Sequence, residues 1–278
     1  MTTIDAHQHF WQPLRGDYDW MPKDDPVLTR PYHPAELKGH LERNGIEKTV
    51  LVQAAATTNE TEYMLGLADA SDMVAGVVGW IDFENPDNRD QLERLASHPK
   101  FKGVRPMIQD IPDDDWMLRD DVQWGFQAVT ELGLTFDALG FPRHIANFLT
   151  ILTRYPDMRV VVDHCMKPQI RDHSAENFRF WADGMSLIAN ETSSYCKFSG
   201  LVTEAGPTWT IDDLRPYAEH VLDAFGPNRV LWGSDWPVCR LRAEYDVWHS
   251  TARELSTHLD ATANDRVFGG SAAKFYDI

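Results

Sequence analysis

Residues 159–165 read RVVVDHC, an unbroken run of valines that ends in an acid and a histidine. A continuous apolar run without alternating polar residues is typical of a strand buried on both faces, as the strands of parallel sheets are. Seven similar short runs occur along the chain. They cover residues 3–10, 48–55, 73–82, 101–108, 134–141, 195–202 and 229–237. The sequence therefore predicts eight strands that lie inside the molecule.

The stretches between these runs carry helix patterns. The clearest are residues 33–45, 88–99, 143–156 and 212–226, where apolar residues recur three or four positions apart and a glycine or proline marks the end. Strand alternating with helix eight times predicts a closed (β/α)8 barrel of the TIM type rather than an open sheet. Because no linker or low-complexity segment interrupts the pattern, residues 1–278 are expected to form a single α/β domain.

Composition excludes several kinds of partner. Acidic residues outnumber basic ones by 43 to 26, a net charge of −17 that repels phosphate backbones and anionic lipid, so neither nucleic acid nor membrane is expected as a partner. No apolar run approaches the roughly 20 residues of a membrane span. Three cysteines outside any C-x-x-C pair indicate reduced thiols. Since no leader pattern precedes the first run, a cytoplasmic protein is expected. Homo-oligomerisation is left open.

Polar side chains cluster where three of the predicted strands end. His7 and His9 follow the first strand, His164 the sixth and Asp235 the eighth. In a closed barrel the eighth strand neighbours the first, and the carboxyl ends of all strands meet on one face, where barrel enzymes carry their chemistry. Three imidazoles and a carboxylate suit Zn²⁺ or a similar divalent ion. The alternative for the H-x-H pair alone is two hydrogen-bonded core histidines.

Several longer motifs resemble those of the amidohydrolase superfamily, in its branch of sugar-lactone hydrolases. The resemblance spans nearly the whole chain and rests on IDAHQHFW, VLVQAA, VAGVVGWID, KGVRPMIQD, FDAL, DHCMKP, CKFSGLVTEAG, YAEHVLDAFGPNRVLWGSDWPVC and FGGSAAKFY. It implies a barrel that hydrolyses a lactone, with Asp235 as general base. The substrate would be a small sugar lactone such as L-fucono-1,5-lactone or a related aldonolactone, released as the aldonic acid.

The chain departs from the binuclear members of the superfamily. Those enzymes use a carboxylated lysine on strand four and a histidine on strand five. Here Lys102 stands at the start of strand four, the wrong end of the barrel, and strand five carries Asp137. The sequence therefore predicts one divalent ion, most simply zinc, held by His7, His9, His164 and Asp235. Activity without a metal is the alternative, because some members of the branch are thought to work with none.

Other polar residues near the strand ends are candidates for contact with substrate. Arg105 is assigned, with Asp235 and His164, to catalysis, as a donor to the lactone carbonyl; the alternative is a structural pair with Asp137. Five residues are candidates to bind sugar hydroxyls or the sugar's apolar faces, or else to support their neighbours: Gln53, Gln109, Lys167, Glu204 and Trp236. Lys197 is a further candidate of the same kind. Asp5 shares the strand parity of His7 and His9 but lies deeper, so it is expected to support the site from behind or to lie at the floor of the barrel.

Three rival functions remain at this level. A dicarboxylate lactone of aromatic catabolism, of the muconolactone type, would need further arginines, which Arg15, Arg143 and Arg240 in the loops could supply. A zinc-dependent non-oxidative decarboxylase uses the same barrel. A non-catalytic binding scaffold has to explain four convergent polar residues and is the weakest of the three.

Overall fold

Eight parallel strands form one sheet in the computed structural model, which describes residues 2–278. The strands are short, and each one ends where the chain turns into the loop that follows it. They are β1 (Ile4–Gln8), β2 (Lys48–Val52), β3 (Val74–Gly79), β4 (Phe101–Val104), β5 (Thr135–Ala138), β6 (Arg159–Val162), β7 (Tyr195–Phe198) and β8 (Val230–Trp232). All eight predicted strands are present.

The strands follow one another around the sheet in chain order, from β1 to β8. The last strand returns to the first through a parallel bridge between Gln8 and Trp236. The His9 amide donates to the Trp236 carbonyl at 2.7 Å, and the Asp235 amide donates to the His7 carbonyl at 2.8 Å. The sheet thus closes into the predicted TIM-type barrel. The seam where β1 meets β8 runs between the H-x-H pair on one side and Asp235 on the other.

Eleven α-helices lie between or after the strands of the described chain. They are α1 (Pro34–Asn44), α2 (Thr58–Asp69), α3 (Arg89–Ala96), α4 (Gln123–Glu131), α5 (Ile145–Arg154), α6 (Ala175–Glu191), α7 (Leu201–Glu204), α8 (Ile211–Phe225), α9 (Tyr245–Leu255), α10 (Ala261–Asp265) and α11 (Ser271–Tyr276). The four clearest sequence patterns correspond to α1, α3, α5 and α8. Local chemistry sets their ends: Gly45 terminates α1 in the left-handed region, at a φ of 65°, as helix C-caps often do.

The apolar core has two parts. The larger lies between the sheet and the surrounding helices and includes fully buried aromatics such as Trp11, Trp181 and Trp232. The smaller lies within the barrel, where strand residues such as Val50 and Leu231 pack against the side chains of α11. Burial of one such aliphatic side chain stabilises the fold by roughly 1.5–3 kcal/mol. The helix α11 therefore closes the end of the barrel opposite to the predicted site.

Three long segments follow β1, β4 and β7 on the other face. Residues 11–32 and 109–122 contain short 3₁₀ turns and no α-helix, whereas the segment after β7 begins with α7. Of the helices in residues 2–278, none combines the length and the apolar character that crossing a membrane would require.

Candidate active site

A cavity of about 230 Å³ opens at the carboxyl ends of the strands. Seven of the residues predicted for the site line it: His9, Arg105, Gln109, His164, Lys167, Glu204 and Asp235. Trp11 and Trp20, from the long segment after β1, form part of its wall. The predicted face of the barrel therefore carries a partly open pocket with both polar and apolar side chains in its wall.

The three histidines and Asp235 converge at the base of this cavity. Two of the ring nitrogens lie within hydrogen-bond distance of each other, with His7 Nε2 3.2 Å from His9 Nε2. Asp235 Oδ1 lies 3.3 Å from His9 Nε2, 3.8 Å from His7 Nε2 and 3.9 Å from His164 Nε2. Four residues that are up to 228 positions apart in the sequence thus meet around one small volume, as the barrel closure predicted.

Backbone geometry aims two of these side chains. His164 and Asp235 both adopt left-handed conformations, with φ of 50° and 56°. A residue with a Cβ pays about 1–3 kcal/mol for such a conformation, and strain of this size tends to be found at functional sites. Two glycines make room for the rings: a Cβ on Gly200 would lie 2.7 Å from the Cβ of His164, and one on Gly233 would lie 2.7 Å from the Cβ of His7.

Hydrogen bonds from outside the cavity orient the imidazoles. His9 Nδ1 lies 2.8 Å from the Val52 carbonyl oxygen, which can only accept, so Nδ1 carries the proton and the Nε2 lone pair faces the cavity. His164 Nδ1 lies 2.9 Å from the Ser199 hydroxyl, which leaves its Nε2 to face Asp235. Such a partner on the far nitrogen is the usual support of a metal-ligating or catalytic histidine.

Burial determines the charge of the cluster. It lowers the pKa of His164 to about 4 and lowers the pKa of His9. Burial and the neighbouring Lys197 charge hold the pKa of His7 well below its ordinary value. Burial alone would raise the pKa of Asp235, but His164 and His9 outweigh it and lower that pKa. At neutral pH the site therefore contains neutral imidazoles around an ionised carboxylate.

This cluster can hold a divalent cation. One ligand atom from each of His7, His9 and Asp235 lies within 4.8 Å of the others. Nitrogen and oxygen atoms that surround a tetrahedral zinc ion at about 2.0–2.1 Å lie about 3.3–3.4 Å apart from each other. The separations of 3.2, 3.3 and 3.8 Å are close to that value. In spacing and in ligand type the residues fit one ion such as zinc.

A layer of alternating charges lies directly beneath the cluster. Lys197 Nζ is 2.5 Å from Asp137 Oδ2, 3.0 Å from Asp163 Oδ1 and 2.9 Å from His7 Nδ1. Arg105 Nη1 is 3.1 Å from Asp163 Oδ2. Although burial alone would raise it, Lys197, His7 and Arg105 together hold the pKa of Asp163 well below its ordinary value. Two acids and two cations thus compensate each other inside the barrel.

This layer corrects two assignments made from sequence and adds one residue that sequence reasoning missed. The alternative partner of Arg105 was Asp137, but Arg105 pairs with Asp163, because Asp137 is already occupied by Lys197. Lys197 is fully buried in the layer and does not line the cavity as a sugar-binding residue. Asp163 was overlooked, although it precedes His164 in the DHC sequence, and its proximity to a candidate ligand was the available signal.

Two further candidates lie away from the cavity wall. Gln53 is fully buried, and its Nε2 donates to the Arg105 backbone carbonyl at 2.5 Å. The Gln53 backbone carbonyl accepts from the Arg105 guanidinium, so Gln53 supports Arg105 rather than facing a substrate. Trp236 is 1% exposed and packs against Phe10 and Tyr32 in the core. Neither residue has a surface that a substrate in the cavity could touch.

Asp5 also differs from the expectation of shared strand parity. The pairing register of β1 with β2 shifts between Asp5 and Gln8. Asp5 accepts hydrogen bonds from the Ser234 amide at 2.8 Å and from the Tyr245 hydroxyl of α9 at 3.0 Å. The carboxylate therefore joins β1 to β8 and α9 and does not belong to the cavity cluster.

The loop arginines proposed for a dicarboxylate substrate have other partners. Arg15 pairs with Asp17 at 3.0 Å, Arg143 with Asp114 at 2.9 Å and Arg240 with Glu244 at 3.1 Å. None of the three lines the cavity. The cations that do line the cavity are Arg105 and Lys167, beside the carboxylates of Asp110, Glu204 and Asp235.

Known proteins resemble this chain along its whole length. It is 41% identical to an L-fucono-1,5-lactonase of Burkholderia ambifaria, over 99% of this chain and 95% of the relative. It is 33% identical to an L-fucono-1,5-lactonase of Burkholderia multivorans, over 99% and 96%. Both relatives are named as lactonases, which are hydrolases of carboxylic ester bonds.

A solved structure has the same architecture. The crystal structure of an amidohydrolase from Burkholderia multivorans with bound zinc superposes with a TM-score of 0.93 at 32% identity, covering 100% of both chains. The amidohydrolase family model matches residues 4–278, a range that contains every strand of the barrel and the whole histidine and aspartate cluster. By fold, by site and by sequence, this chain is a member of the amidohydrolase family.

Proposed function

We propose that this protein hydrolyses a sugar-derived lactone, such as L-fucono-1,5-lactone or a related aldonolactone, to the aldonic acid. The observation that carries the proposal is the meeting of the ionised Asp235 with neutral His9 and His164 at the base of the cavity of about 230 Å³. The lactonase names of the two relatives support the same reaction class.

Asp235 serves as the general base. Its lowered pKa keeps the carboxylate ionised at neutral pH, and it is 4% exposed at the cavity surface, where water can reach it. It takes one proton from a water molecule while the oxygen of that water attacks the lactone carbonyl. When the ring C–O bond breaks, the same proton passes from Asp235 to the ring oxygen, which becomes the hydroxyl of the aldonic acid.

Arg105 and His164 act on the carbonyl and on the attacking water. The Arg105 guanidinium lines the cavity and is held by Asp163 and Gln53, so that its charge is fixed before the reaction begins. A preorganised donor of this kind stabilises the negative charge that develops on the carbonyl oxygen. His164 Nε2 faces Asp235 and orients the water between them.

A zinc ion or similar cation, where bound, would be held by His7, His9, His164 and Asp235 and would supply Lewis-acid polarisation of the lactone carbonyl. The residues fit such an ion in spacing and in ligand type. The base and the donors described above belong to the protein itself.

The wall opposite the cluster suits a neutral, hydroxylated substrate. Lys167 Nζ and Glu204 Oε1 lie 3.9 Å apart across the cavity edge, so a donor and an acceptor are available to neighbouring hydroxyls. Gln109 Oε1 and Thr203 Oγ1 are buried polar atoms without a hydrogen-bond partner within the described chain. Unsatisfied groups of this kind are costly unless a ligand or water completes them.

A dicarboxylate lactone is disfavoured by the charges of the same wall. Three carboxylates line the cavity against two cations, and one of those cations, Arg105, is already paired with Asp163. The two carboxylates of such a substrate would be repelled by the carboxylates of the cavity wall.

The test is a panel of sugar lactones, dicarboxylate lactones and aromatic acids. Acid release is followed in a pH-stat, CO₂ release is detected in parallel, and metal content is measured on the same samples. We expect turnover of at least one neutral sugar lactone and none of the dicarboxylates. Release of CO₂ from aromatic acids, or hydrolysis restricted to dicarboxylates, would contradict the proposal.

A further inference from the structure

The proton of the His7 ring has two possible positions, and the residues on each side of the ring differ in kind. Lys197 Nζ lies 2.9 Å from Nδ1 on one side. On the other side, Nε2 is 3.2 Å from His9 Nε2 and 3.3 Å from Arg105 Nη1. A neutral imidazole has one N–H donor and one acceptor nitrogen. These three contacts therefore cannot all be hydrogen bonds at the same time.

The Nδ1 side offers a strong donor and no near acceptor. Lys197 is an ammonium between the carboxylates of Asp137 and Asp163, at 2.5 and 3.0 Å, and an ammonium can only donate. The carboxylate nearest to Nδ1 is Asp163 Oδ1 at 3.6 Å, outside hydrogen-bond distance. A proton on Nδ1 would therefore face the hydrogens of Lys197 and have no partner of its own.

The Nε2 side offers an acceptor. His9 donates from Nδ1 to the Val52 carbonyl at 2.8 Å, so the lone pair of His9 Nε2 points at His7. Arg105 Nη1 also approaches His7 Nε2, but at 3.3 Å this contact is longer than the 2.9 Å contact of Lys197 with Nδ1, and Arg105 has a nearer acceptor in Asp163 Oδ2, at 3.1 Å. A proton on His7 Nε2 thus completes a chain in which Lys197 donates to His7 and His7 donates to His9.

We infer that Lys197 is a positioning residue that holds His7 in the tautomer with its proton on Nε2, so that His7 presents an N–H to the cavity cluster. In this state His7 has no lone pair for a cation, and a divalent ion can use Nε2 only after the proton has moved to Nδ1, against Lys197. The inference depends on the contacts of His7 alone and not on the identity of the substrate.

Nitrogen NMR of protein labelled with ¹⁵N in its histidine rings tests this directly. Long-range proton–nitrogen spectra distinguish a protonated from an unprotonated ring nitrogen, and the His7 signals are identified by their loss in His7→Gln. In the metal-free wild-type protein at neutral pH we expect Nε2 of His7 to be protonated and Nδ1 to be unprotonated. The opposite assignment would overturn the inference without any variant being needed.

A charge-balanced variant tests the part played by Lys197. Lys197→Met combined with Asp137→Asn removes one cation and one anion together, so the remaining Arg105 and Asp163 still compensate each other. We expect the His7 proton to move to Nδ1, because Arg105 then donates to Nε2. An unchanged His7 spectrum in the folded double variant would show that Lys197 does not set the tautomer.

Zinc affinity gives a second readout that needs no substrate. Competition with a chromophoric chelator should show about tenfold or greater tightening in the double variant, since partners of a ligating histidine commonly change metal affinity by about 10–100-fold. The control is Lys102→Met, a lysine on β4 whose ammonium donates to the Asp277 carbonyl at 3.0 Å, away from the cluster. Equal affinity in wild-type and double-variant protein would contradict the predicted competition between the ion and the proton.

Discussion

The cavity cluster and the charged layer beneath it are both buried, but their polar groups are arranged in opposite ways. In the layer each acid faces a cation: Lys197 lies between Asp137 and Asp163, and Arg105 faces Asp163 again. In the cluster, Asp235 faces imidazoles that burial keeps neutral. Buried charges are stable when they are paired and hydrogen-bonded. The layer is thus suited to hold the barrel together, and the cluster is left ready for a proton, a cation or a substrate.

Replacing the cluster carboxylate should separate these two roles most strongly. Asp235→Asn retains the shape of the side chain and removes the base, so we expect turnover of the best lactone to fall roughly 10²–10⁴-fold. The thermal midpoint should change little, because the layer below remains intact. Asp110→Asn, also at the cavity wall, is the matched control. Near-normal turnover by Asp235→Asn would remove Asp235 from the mechanism.

The converse experiment breaks the layer. Lys197→Met leaves Asp137 and Asp163 buried without their shared cation, and loss of one partner of a buried pair costs about 3–5 kcal/mol. Denaturant unfolding should show this loss, and adding Asp137→Asn should recover part of it. If the single variant is as stable as wild type, the layer does not have the structural role that we assign to it.

Glu60 sharpens the comparison, because it is a buried carboxylate with no basic partner within 4 Å among the described residues. It accepts from the amides of Ala54 and Ala55, at 3.0 and 2.7 Å. Burial raises its pKa to about 7, against about 4.5 for an unperturbed glutamate. The folded protein therefore holds a proton that the unfolded chain releases, and the free energy of unfolding should decrease as pH rises through this window.

The size of that decrease follows from the pKa difference, and is roughly 3 kcal/mol at full deprotonation. Glu60→Gln keeps an oxygen for the two amides and lacks the proton, so its stability relative to wild type should rise between pH 5 and pH 8 by an amount on the order of 3 kcal/mol. Chemical denaturation across this range measures the effect. The exposed Glu62→Gln on the same helix should show no such trend. A flat difference for Glu60→Gln would mean that Glu60 is ionised throughout.

The smallest effect is expected at the lower edge of the layer. The Tyr276 hydroxyl of α11 donates to Asp137 Oδ2 at 3.0 Å. Tyr276→Phe removes one buried hydrogen bond, so we expect a loss of about 1–2 kcal/mol of stability and unchanged kcat. Tyr195→Phe, whose ring packs against Phe275, is the control for loss of a tyrosine hydroxyl near this end of the barrel. A large fall in kcat for Tyr276→Phe would link α11 to catalysis.

Much of this architecture could be predicted from the sequence. Continuous apolar runs separated by helix patterns identified all eight strands, because burial on both faces leaves a strong signal in composition. The convergence of His7, His9, His164 and Asp235 followed from barrel closure. The strands themselves ended earlier than the apolar runs: β8 ends at Trp232, although the apolar run reaches residue 237. Apolar character does not distinguish a strand from the buried turn that follows it.

Contacts between side chains were harder to predict. The register shift between Asp5 and Gln8 invalidated the parity argument for Asp5, and alternation along a sequence contains no sign of such a shift. Pairing Arg105 with Asp163 instead of Asp137 depends on the stagger of neighbouring strands, which no local pattern encodes. Gln53 and Trp236 had the right position along the chain, but their side chains support the site from behind.

The seam between β1 and β8 has a consequence for how the enzyme comes into being. His7 and His9 are synthesised well before Asp235, which lies 226 residues after His9 in the chain. Contacts that join such distant segments form late and slowly, since the loop between them must first be ordered. Catalytic competence should therefore arise in one final step, when β8 docks beside β1, and a nascent chain that has not yet made β8 should have no partial activity.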